Sequence, residues 1–367
     1  MSVDRFDAEY CEKAALVLEG LMLKSYSSIV LSEESKKRIL DLGTSSIIYA
    51  SLHKSHFDYI SICVKHVLEG LACPRTVAGT NLLSGITGKL TKLLTRIDMM
   101  KWGAVPIKRG SSVSRDLYEV CSKIEEFLKS DKPILTFPET EMIKIGEKLS
   151  VKTGRTYSGR IRKFASGLFN AAINVSKEGK KVYIVPVSVS YDFVAEDKYF
   201  SKLAKADKMK KSGSALTAFA GKLYYTFLEF HFYWNMYRLG KGNIYIDIGQ
   251  PFLVEPHSPK KELAQRVQKE AARCYRITMP ALVCYAISKG ATQKNELKRS
   301  LERYVALFNR KDINVCLPGE SEESIDQTLH DLAKRKVILN HNEISVKNQE
   351  MINYYANTIA HHFEHLG

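Results

Sequence analysis

The sequence lacks the features of a disulfide-rich, zinc-binding or membrane-spanning protein. Its 7 cysteines are odd in number and none of them form a C-x-x-C pair, which argues against a disulfide framework and against a cysteine-type zinc site. We therefore expect reduced, mostly buried thiols in a cytosolic compartment. No uncharged apolar run reaches the roughly 18–20 residues of a spanning helix. The opening MSVDRFDAEYCEK has no basic segment before an apolar run, unlike a secretory signal peptide.

Acidic residues are too few to balance the basic ones. The chain has 55 Lys and Arg against 40 Asp and Glu, which leaves a formal net charge of +15. Such an excess attracts nucleic acid, anionic lipid or phosphorylated small molecules. The sequence shows no helix-turn-helix, zinc finger or RNP-like aromatic–basic motif. We therefore expect no nucleic-acid partner, and a non-catalytic nucleic-acid-binding protein is kept only as a remote alternative.

The order of apolar patterns predicts the fold class. Residues 9–40 have helical apolar spacing, whereas short apolar runs alternate with longer helical stretches from about 45 to 250. After Pro251 the sequence reads as helices with few strand signals. We predict an α/β fold with a mixed central sheet flanked by helices. The predicted parts are an N-terminal helical region (1–44), a central α/β domain (45–255) and a C-terminal helical region (256–367).

One segment has the composition of a membrane contact. Residues 214–237 are apolar and densely aromatic, although Lys222, Glu229 and His231 interrupt them, and the lysine-rich stretch 202–211 lies just upstream. A cationic stretch beside an aromatic amphipathic one is typical of an interfacial anchor. A buried helix preceded by a solvated lysine-rich loop has the same composition. Both interpretations remain open on sequence alone.

The strongest local signal for chemistry is SLHKSHFDY, residues 51–59. A strand-like run ends at His53, and Asp58 follows within the next turn of chain. An imidazole accepts a proton near neutral pH, and a carboxylate on its far nitrogen fixes the tautomer and stabilises the imidazolium. An alternative is purely structural, because Ser55 to Asp58 also fits the S-x-x-D pattern of a helix start.

Charged residues follow three other predicted strands or loops, two of them basic and one of them acidic. No serine or cysteine stands in a G-x-S-x-G elbow, so the expected nucleophile is a hydroxyl of a bound substrate. Cations among small residues suit a phosphate group, although a solvated basic loop has the same composition. A base acting on an alcohol beside such groups indicates acyl transfer onto a phosphorylated alcohol. The residues concerned are Lys108 and Arg109 in GAVPIKRG, Glu139 in ILTFPETE, and Arg155 and Arg160 in TGRTYSGRIRKFASG.

Taken in order, these motifs resemble the glycerol-phosphate and lysophospholipid acyltransferase superfamily. The closest likeness is to membrane-associated bacterial glycerol-3-phosphate acyltransferases and the related dihydroxyacetone-phosphate acyltransferases. The blocks that carry the resemblance are H-x-x-x-x-D at 53–58, VAGTNLLSG at 77–85, GAVPIKR at 103–109, IVPVSVSYD at 184–192, IDIGQPFLV at 246–254 and YYANTIAHHF at 354–363. The third block of the family is compact, whereas here residues 141–153 separate its glutamate from its arginines. We interpret these residues as an inserted hairpin or lid at the mouth of the site.

The resemblance implies a role for each motif residue. His53 would remove the proton from the acceptor hydroxyl and Asp58 would orient His53. Glu139 would organise the acceptor site, and Pro186 with its strand would line the acyl side. The acceptor phosphate would be held by Lys108, Arg109, Arg155 and Arg160.

The resemblance also implies substrates and a location. The acyl donor would be acyl-CoA or acyl–acyl carrier protein, and no metal or organic cofactor is required. The acceptor would be glycerol-3-phosphate, acylated at the sn-1 hydroxyl, in phospholipid biosynthesis. The same chemistry on 1-acylglycerol-3-phosphate, dihydroxyacetone phosphate or another lysolipid stays open. The protein would be peripheral on the cytoplasmic face of the membrane, with the +15 charge facing an anionic surface.

The predicted strand at 184–192 contains a proline. A proline inside a strand predicts a bulge, an edge or a strand end at Pro186.

Overall fold

A computed structural model of the chain was analysed. The structure describes residues 5–79, 97–107, 113–145, 148–153, 156–200, 202, 217, 219–221, 223–224, 240–311, 313–316, 322–339 and 343–364.

Local sequence signals explain where several helices begin. Asp7 caps the first helix by accepting a hydrogen bond from the amide of Tyr10 at 3.0 Å, and Ser32 caps the second. The described helices are α1 (Ala8–Met22), α2 (Glu33–Leu40), α3 (Phe57–Leu68), α4 (Val113–Lys129), α5 (Phe169–Lys177), α6 (Lys260–Cys274), α7 (Met279–Ser288), α8 (Lys294–Arg310), α9 (Glu322–Lys334) and α10 (Gln349–Glu364).

The described strands form one large mixed sheet and two small sheets. The strands are β1 (Ser28–Leu31), β2 (Ser46–Ser51), β3 (Arg75–Gly79), β4 (Ala104–Ile107), β5 (Ile134–Thr136), β6 (Glu139–Ile145), β7 (Lys148–Thr153), β8 (Lys163–Phe164), β9 (Val182–Tyr191), β10 (Asn243–Ile248), β11 (Phe252–Leu253), β12 (Ile277–Thr278) and β13 (Val315–Cys316). The large sheet has the order β1-β10-β9-β2-β5-β3-β4, with β11 paired to β9. Strands β9, β2, β5, β3 and β4 are mutually parallel, whereas β10 runs antiparallel to β9.

The predicted α/β class, with a mixed central sheet and flanking helices, is confirmed. All six residues of β2 are buried, so helices and loops cover both faces of this strand, as parallel strands require. The N-terminal region departs from the purely helical expectation, because β1 inside it pairs with β10 at the edge of the sheet. The β-branched and apolar run at Ser28–Leu31 alternates between half-buried and buried positions, which suits an edge strand.

Pro186 lies inside a central strand, so the expectation of an edge or a strand end is wrong, whereas a bulge is present: Ile248 pairs with Val187 and Phe252 pairs with Ile184, so three residues oppose two beside Pro186. It pairs with Ala50 of β2 on one side. On the other side its carbonyl accepts a hydrogen bond from the amide of Gly249 at 2.9 Å, between β10 and β11. The N–H and C=O of one residue in a strand point to the same side. The missing N–H of proline therefore faces the break between two partner strands, where no ladder bond is lost.

The described parts of the insertion, residues 141–145 and 148–153, lie in two antiparallel strands. Strands β6 and β7 pair from Thr140 with Thr153 to Ile145 with Lys148, and β8 pairs with the start of β6. Helices α7 and α10 of the C-terminal part pack against each other. Within the described ranges, none of the helices combines the length and the apolar character that crossing a membrane requires.

Candidate active site

The candidate site lies at the carboxyl end of β2, where neighbouring parallel strands also end. His53 follows this strand, and α3 begins four residues later. The Nδ1 atom of His53 is 2.8 Å from Oδ2 of Asp58. Because an ionised carboxylate only accepts hydrogen bonds, Nδ1 carries the proton and Nε2 presents a lone pair. The His53 side chain is 13% exposed, whereas Asp58 is fully buried. The ring packs on Phe137, with centroids 4.3 Å apart.

Asp58 is held by four hydrogen-bond donors. Its Oδ2 accepts from His53 and from the backbone amides of Lys54 at 2.7 Å and Ser55 at 2.9 Å. Its Oδ1 accepts from the hydroxyl of Tyr191 at 2.5 Å. Burial, together with the neighbouring Asp58 charge, holds the pKa of Tyr191 well above its usual range, so the hydroxyl stays a donor. These bonds fix the carboxylate in one orientation toward His53.

The structural and the functional interpretations of this motif apply together. Asp58 accepts from the amide of Ser55, and Oγ of Ser55 accepts from the amide of Phe57 at 3.1 Å. The two bonds satisfy backbone amides at the start of α3, although they do not form a reciprocal capping box, because Oγ of Ser55 bonds Phe57 instead of Asp58 and the N-cap residue is His56. The same carboxylate bonds His53. The negative charge at the positive end of the helix also favours the folded loop.

Glu139 ties the His53 loop to the basic segment after the hairpin. It is fully buried; its Oε2 accepts from the amide of His53 at 2.7 Å and its Oε1 accepts from the amide of Arg162 at 2.9 Å. The Nζ of Lys54 lies 3.7 Å from Oε1. A single carboxylate thus positions two separate backbone segments at the site.

Two buried cations lie beside this carboxylate. Lys54 is fully buried, and burial lowers its pKa from the usual range. Its Nζ also donates to the carbonyl of Arg160 at 3.2 Å. Arg162 is 7% exposed, and its three guanidinium nitrogens have no hydrogen-bond partner in the described part of the chain. The carboxylate of Glu141 lies 3.6 Å from its Nη1. A buried guanidinium needs hydrogen-bond acceptors, and the oxygens of a phosphate would supply them.

The structure describes one of the four phosphate ligands predicted from sequence. Lys108, Arg109 and Arg155 lie outside the described residues. The residue Arg160 is exposed, and its backbone carbonyl faces Lys54. In the sequence, Arg162 is one of several cations in its loop, and it was not predicted as a phosphate ligand. Its burial in the structure distinguishes it from the exposed Arg160.

Tyr191 and Glu196 were also missed from the sequence. Tyr191 is the last residue of β9, the strand that contains Pro186. The sequence does not show that its side chain points toward Asp58. Glu196 is 2% exposed and accepts from Oγ of Ser55 at 2.7 Å and from the amide of His56 at 2.8 Å. A glutamate in a loop carries no sequence signal of such burial.

The arrangement can activate a hydroxyl. Nδ1 of His53 bonds Asp58, which leaves Nε2 as the basic nitrogen, and the buried Nζ of Lys54 lies 3.7 Å from Glu139, which accepts from the amide of His53. An alcohol bound at Nε2 would lose its proton to the imidazole while Asp58 stabilises the resulting cation. Across the described ranges, no cluster of three or more histidine, cysteine or acidic side chains has the geometry of a metal site.

Comparison with known proteins gives the chain a context. The acyltransferase family model matches residues 30–190, and the model of the glycerol-3-phosphate acyltransferase C-terminal region matches residues 233–365. A glycerol-3-phosphate acyltransferase from Colwellia psychrerythraea is 24% identical over 94% of this chain and 43% of its own length. One from Pseudoalteromonas atlantica is 25% identical over 98% of this chain and 45% of its own length. The chain therefore spans less than half the length of these curated relatives.

Among solved structures, the crystal structure of the 1-acyl-sn-glycerophosphate (LPA) acyltransferase PlsC from Thermotoga maritima is similar to this chain. The match has a TM-score of 0.38 and 13% sequence identity, and it covers 71% of this chain and 75% of the other.

Proposed function

We propose that the chain moves a fatty acyl group from a thioester donor to the sn-1 hydroxyl of glycerol-3-phosphate. The premise is that it belongs to the glycerol-phosphate and lysophospholipid acyltransferase superfamily. The observation that supports this most is the His53–Asp58 pair at 2.8 Å, beside the buried cations Lys54 and Arg162. A base and a phosphate-sized set of positive charges at one strand end suit a phosphorylated alcohol.

In the proposed reaction, Nε2 of His53 takes the proton from the acceptor hydroxyl. The oxygen forms a bond to the thioester carbonyl carbon, and the carbon–sulfur bond breaks as the tetrahedral intermediate collapses. The leaving thiolate takes the proton back from the imidazolium and departs as the free thiol of coenzyme A or acyl carrier protein. Asp58 stays ionised throughout and stabilises the imidazolium.

We assign the acceptor phosphate to the cations around Glu139. Arg162 and Lys54 come from the described geometry, whereas Lys108, Arg109, Arg155 and Arg160 remain candidates from sequence. Glu139 positions these segments relative to His53, and the strand with Pro186 lines the acyl side. We also propose that residues 45–255 form the catalytic domain between the helical regions 1–44 and 256–367.

We further propose that the protein is peripheral on the cytoplasmic face of an anionic membrane. The net charge of +15 supports this. Phe219 and Leu223 are 60% and 54% exposed and are one helical turn apart, so they present apolar surface on one side. The lysine-rich stretch 202–211 just upstream in sequence would add electrostatic attraction.

The chemistry is tested by removing the base. His53→Ala should lower kcat by roughly 10²–10⁴-fold, and Asp58→Asn should also lower it because the asparagine cannot fix the proton on Nδ1. His257→Ala is the matched control, since His257 is an exposed histidine outside the site. Near-normal turnover by His53→Ala would refute the mechanism.

The acceptor is tested with a panel of alcohols and one acyl donor. The expected substrate is glycerol-3-phosphate. The inserted hairpin β6–β7 departs from the compact block of the family, so dihydroxyacetone phosphate and lysolipids belong in the panel. A protein that acylates lysophosphatidic acid but never glycerol-3-phosphate would keep the chemistry and overturn the acceptor assignment. Repeating the assay with acyl-CoA and with acyl–acyl carrier protein identifies the donor.

A further inference from the structure

Two adjacent buried carboxylates follow β9 and bind different parts of the molecule. Glu196 and Asp197 are 2% and 3% exposed. Glu196 holds the loop that carries His53, because it accepts from Oγ of Ser55 and from the amide of His56. These two donors lie between His53 and Asp58 in sequence. The geometry of the base therefore depends on where Glu196 is held.

Asp197 is held by the C-terminal part of the chain. Its Oδ2 accepts from the hydroxyl of Tyr355 at 2.6 Å and from Nη1 of Arg335 at 3.2 Å. Arg335 follows α9, and Tyr355 lies in α10. Both side chains are buried. Charge-assisted bonds of this kind are the strong ones in a protein interior.

The same two C-terminal residues also hold the backbone around the carboxylates. The hydroxyl of Tyr355 accepts from the amide of Val194 at 3.0 Å. The guanidinium of Arg335 lies 3.9 Å over the ring of Phe193 and donates to the carbonyl of Gly240 at 2.6 Å. The C-terminal region thus contacts residues 193–197 from one side. From this segment, Glu196 bonds the catalytic loop, residues 53–58.

We propose that the C-terminal helical region positions the catalytic loop through the Glu196–Asp197 pair, with Arg335 and Tyr355 as positioning residues for His53. Neither of them touches His53 or Asp58 in the described contacts. A site of this type needs its groups held to within about 0.5 Å. The kinetic consequence rests on the proposed function, whereas the order of the loop can be measured without it.

The sharpest test compares two neighbouring tyrosines. Tyr355→Phe removes the hydroxyl that bonds Asp197. Tyr354→Phe is the matched control, because Tyr354 is equally buried and its hydroxyl has no hydrogen-bond partner in the described part of the chain. Both changes delete one oxygen from adjacent positions of α10.

Hydrogen–deuterium exchange gives a readout independent of activity. In Tyr355→Phe, the amides of residues 53–58 should exchange about tenfold faster, which corresponds to losing one hydrogen bond to a charged group. Peptides from α8 should be unchanged. Tyr354→Phe should exchange like the wild-type protein at both places.

Kinetics give the second readout. Tyr355→Phe should lower kcat about tenfold with little change in KM for the donor, because the loop carries the base His53; KM for the acceptor should rise as well, because the same loop carries Lys54, which we assign to the acceptor phosphate. Arg335→Met should lower kcat further. Arg335→Lys should lower it less than Arg335→Met, because lysine keeps a positive charge beside Asp197.

Glu196→Gln should lower kcat as much as Arg335→Met. The glutamine NH₂ group is a hydrogen-bond donor and would face the hydroxyl of Ser55 or the amide of His56, which are donors too.

The outcomes separate the proposals. If Tyr355→Phe and Tyr354→Phe behave alike in loop exchange and in kcat, the positioning proposal is wrong. It is also wrong if exchange rises equally in α8, since the bonds would then serve general stability alone. If the wild-type protein acylates no acceptor, the proposed function fails, and the exchange comparison still decides whether the C-terminal region holds the loop.

Discussion

Replacing Arg162 with methionine should stabilise the unliganded protein and weaken the binding of a phosphorylated acceptor. Within the described residues, the buried guanidinium has no hydrogen-bond partner, and Oε2 of Glu141 lies 3.6 Å from its Nη1 on a side chain that is 52% exposed. The buried charges around the neighbouring Lys54 are Arg162 itself and the carboxylates of Glu139 and Asp58. Neither carboxylate hydrogen-bonds the guanidinium in the described part of the chain.

The two effects have different physical origins and opposite signs. Stranding a buried polar group costs about 1–3 kcal/mol in proteins, so Arg162→Met should raise the free energy of unfolding by up to that amount. A hydrogen bond to a charged group contributes about 1.5–3 kcal/mol. Losing one such bond to the acceptor phosphate should raise KM for glycerol-3-phosphate roughly 10- to 150-fold.

Denaturant unfolding with and without glycerol-3-phosphate measures both effects on one protein. The wild-type protein should gain about 2.7 kcal/mol at a ligand concentration 100 times Kd, and Arg162→Met should gain much less at the same concentration. Lys163→Met is the matched control, because Lys163 is the next residue and is exposed. It should change neither quantity measurably.

The result that would refute this reasoning is a destabilised Arg162→Met with unaltered KM. That combination would mean that Arg162 is satisfied in the empty protein by its ion pair with Glu141, and that the phosphate is held elsewhere. Arg162→Lys refines the outcome, because lysine keeps the charge and loses the planar fork. We expect it to recover part of the acceptor affinity.

Three further predictions concern the base, the fold and the surface. Tyr191→Phe removes a donor from Asp58, so the carboxylate should favour the imidazolium more strongly and the acidic limb of the pH–rate profile should move up by about 0.5–1 unit; an unmoved limb would contradict the contact. Burial lowers the pKa of His66 from 6.5 to about 4, so stability present above pH 6.5 should be lost toward pH 4. The loss should total about 3 kcal/mol at about 1.4 kcal/mol per unit, and unfolding curves of His66→Leu should lack this component. Phe219→Ser with Leu223→Ser should reduce sedimentation with anionic vesicles while far-ultraviolet circular dichroism stays the same, and undiminished binding would exclude this surface as a membrane contact.

The fold class followed from patterns that are local in the chain. Short apolar runs between helical stretches predict strands and helices, and only a sheet covered by helices buries such runs on both faces. The proximity of His53 to Asp58 is local too, since a strand end and the first turn of a helix bring them to 2.8 Å. The hairpin over 141–153 was expected from its position as an insertion. Of the three settings expected for Pro186, only the bulge is found, and the partner residues that form it lie more than sixty residues away along the chain.

The sequence by itself determined the α/β architecture, the excess of positive charge and the pairing of His53 with Asp58, because each depends on composition or on neighbours in the chain. Only the tertiary structure decided which side chains support that pair. Tyr191 reaches Asp58 from β9, Glu139 arrives from beyond β5, and Arg335 acts from the C-terminal region. Burial raises the free-energy cost of an unpaired guanidinium such as Arg162 and strengthens the hydrogen bonds of buried carboxylates such as Glu196 and Asp197. It depends on what packs around a residue, and distant segments of the chain supply that packing.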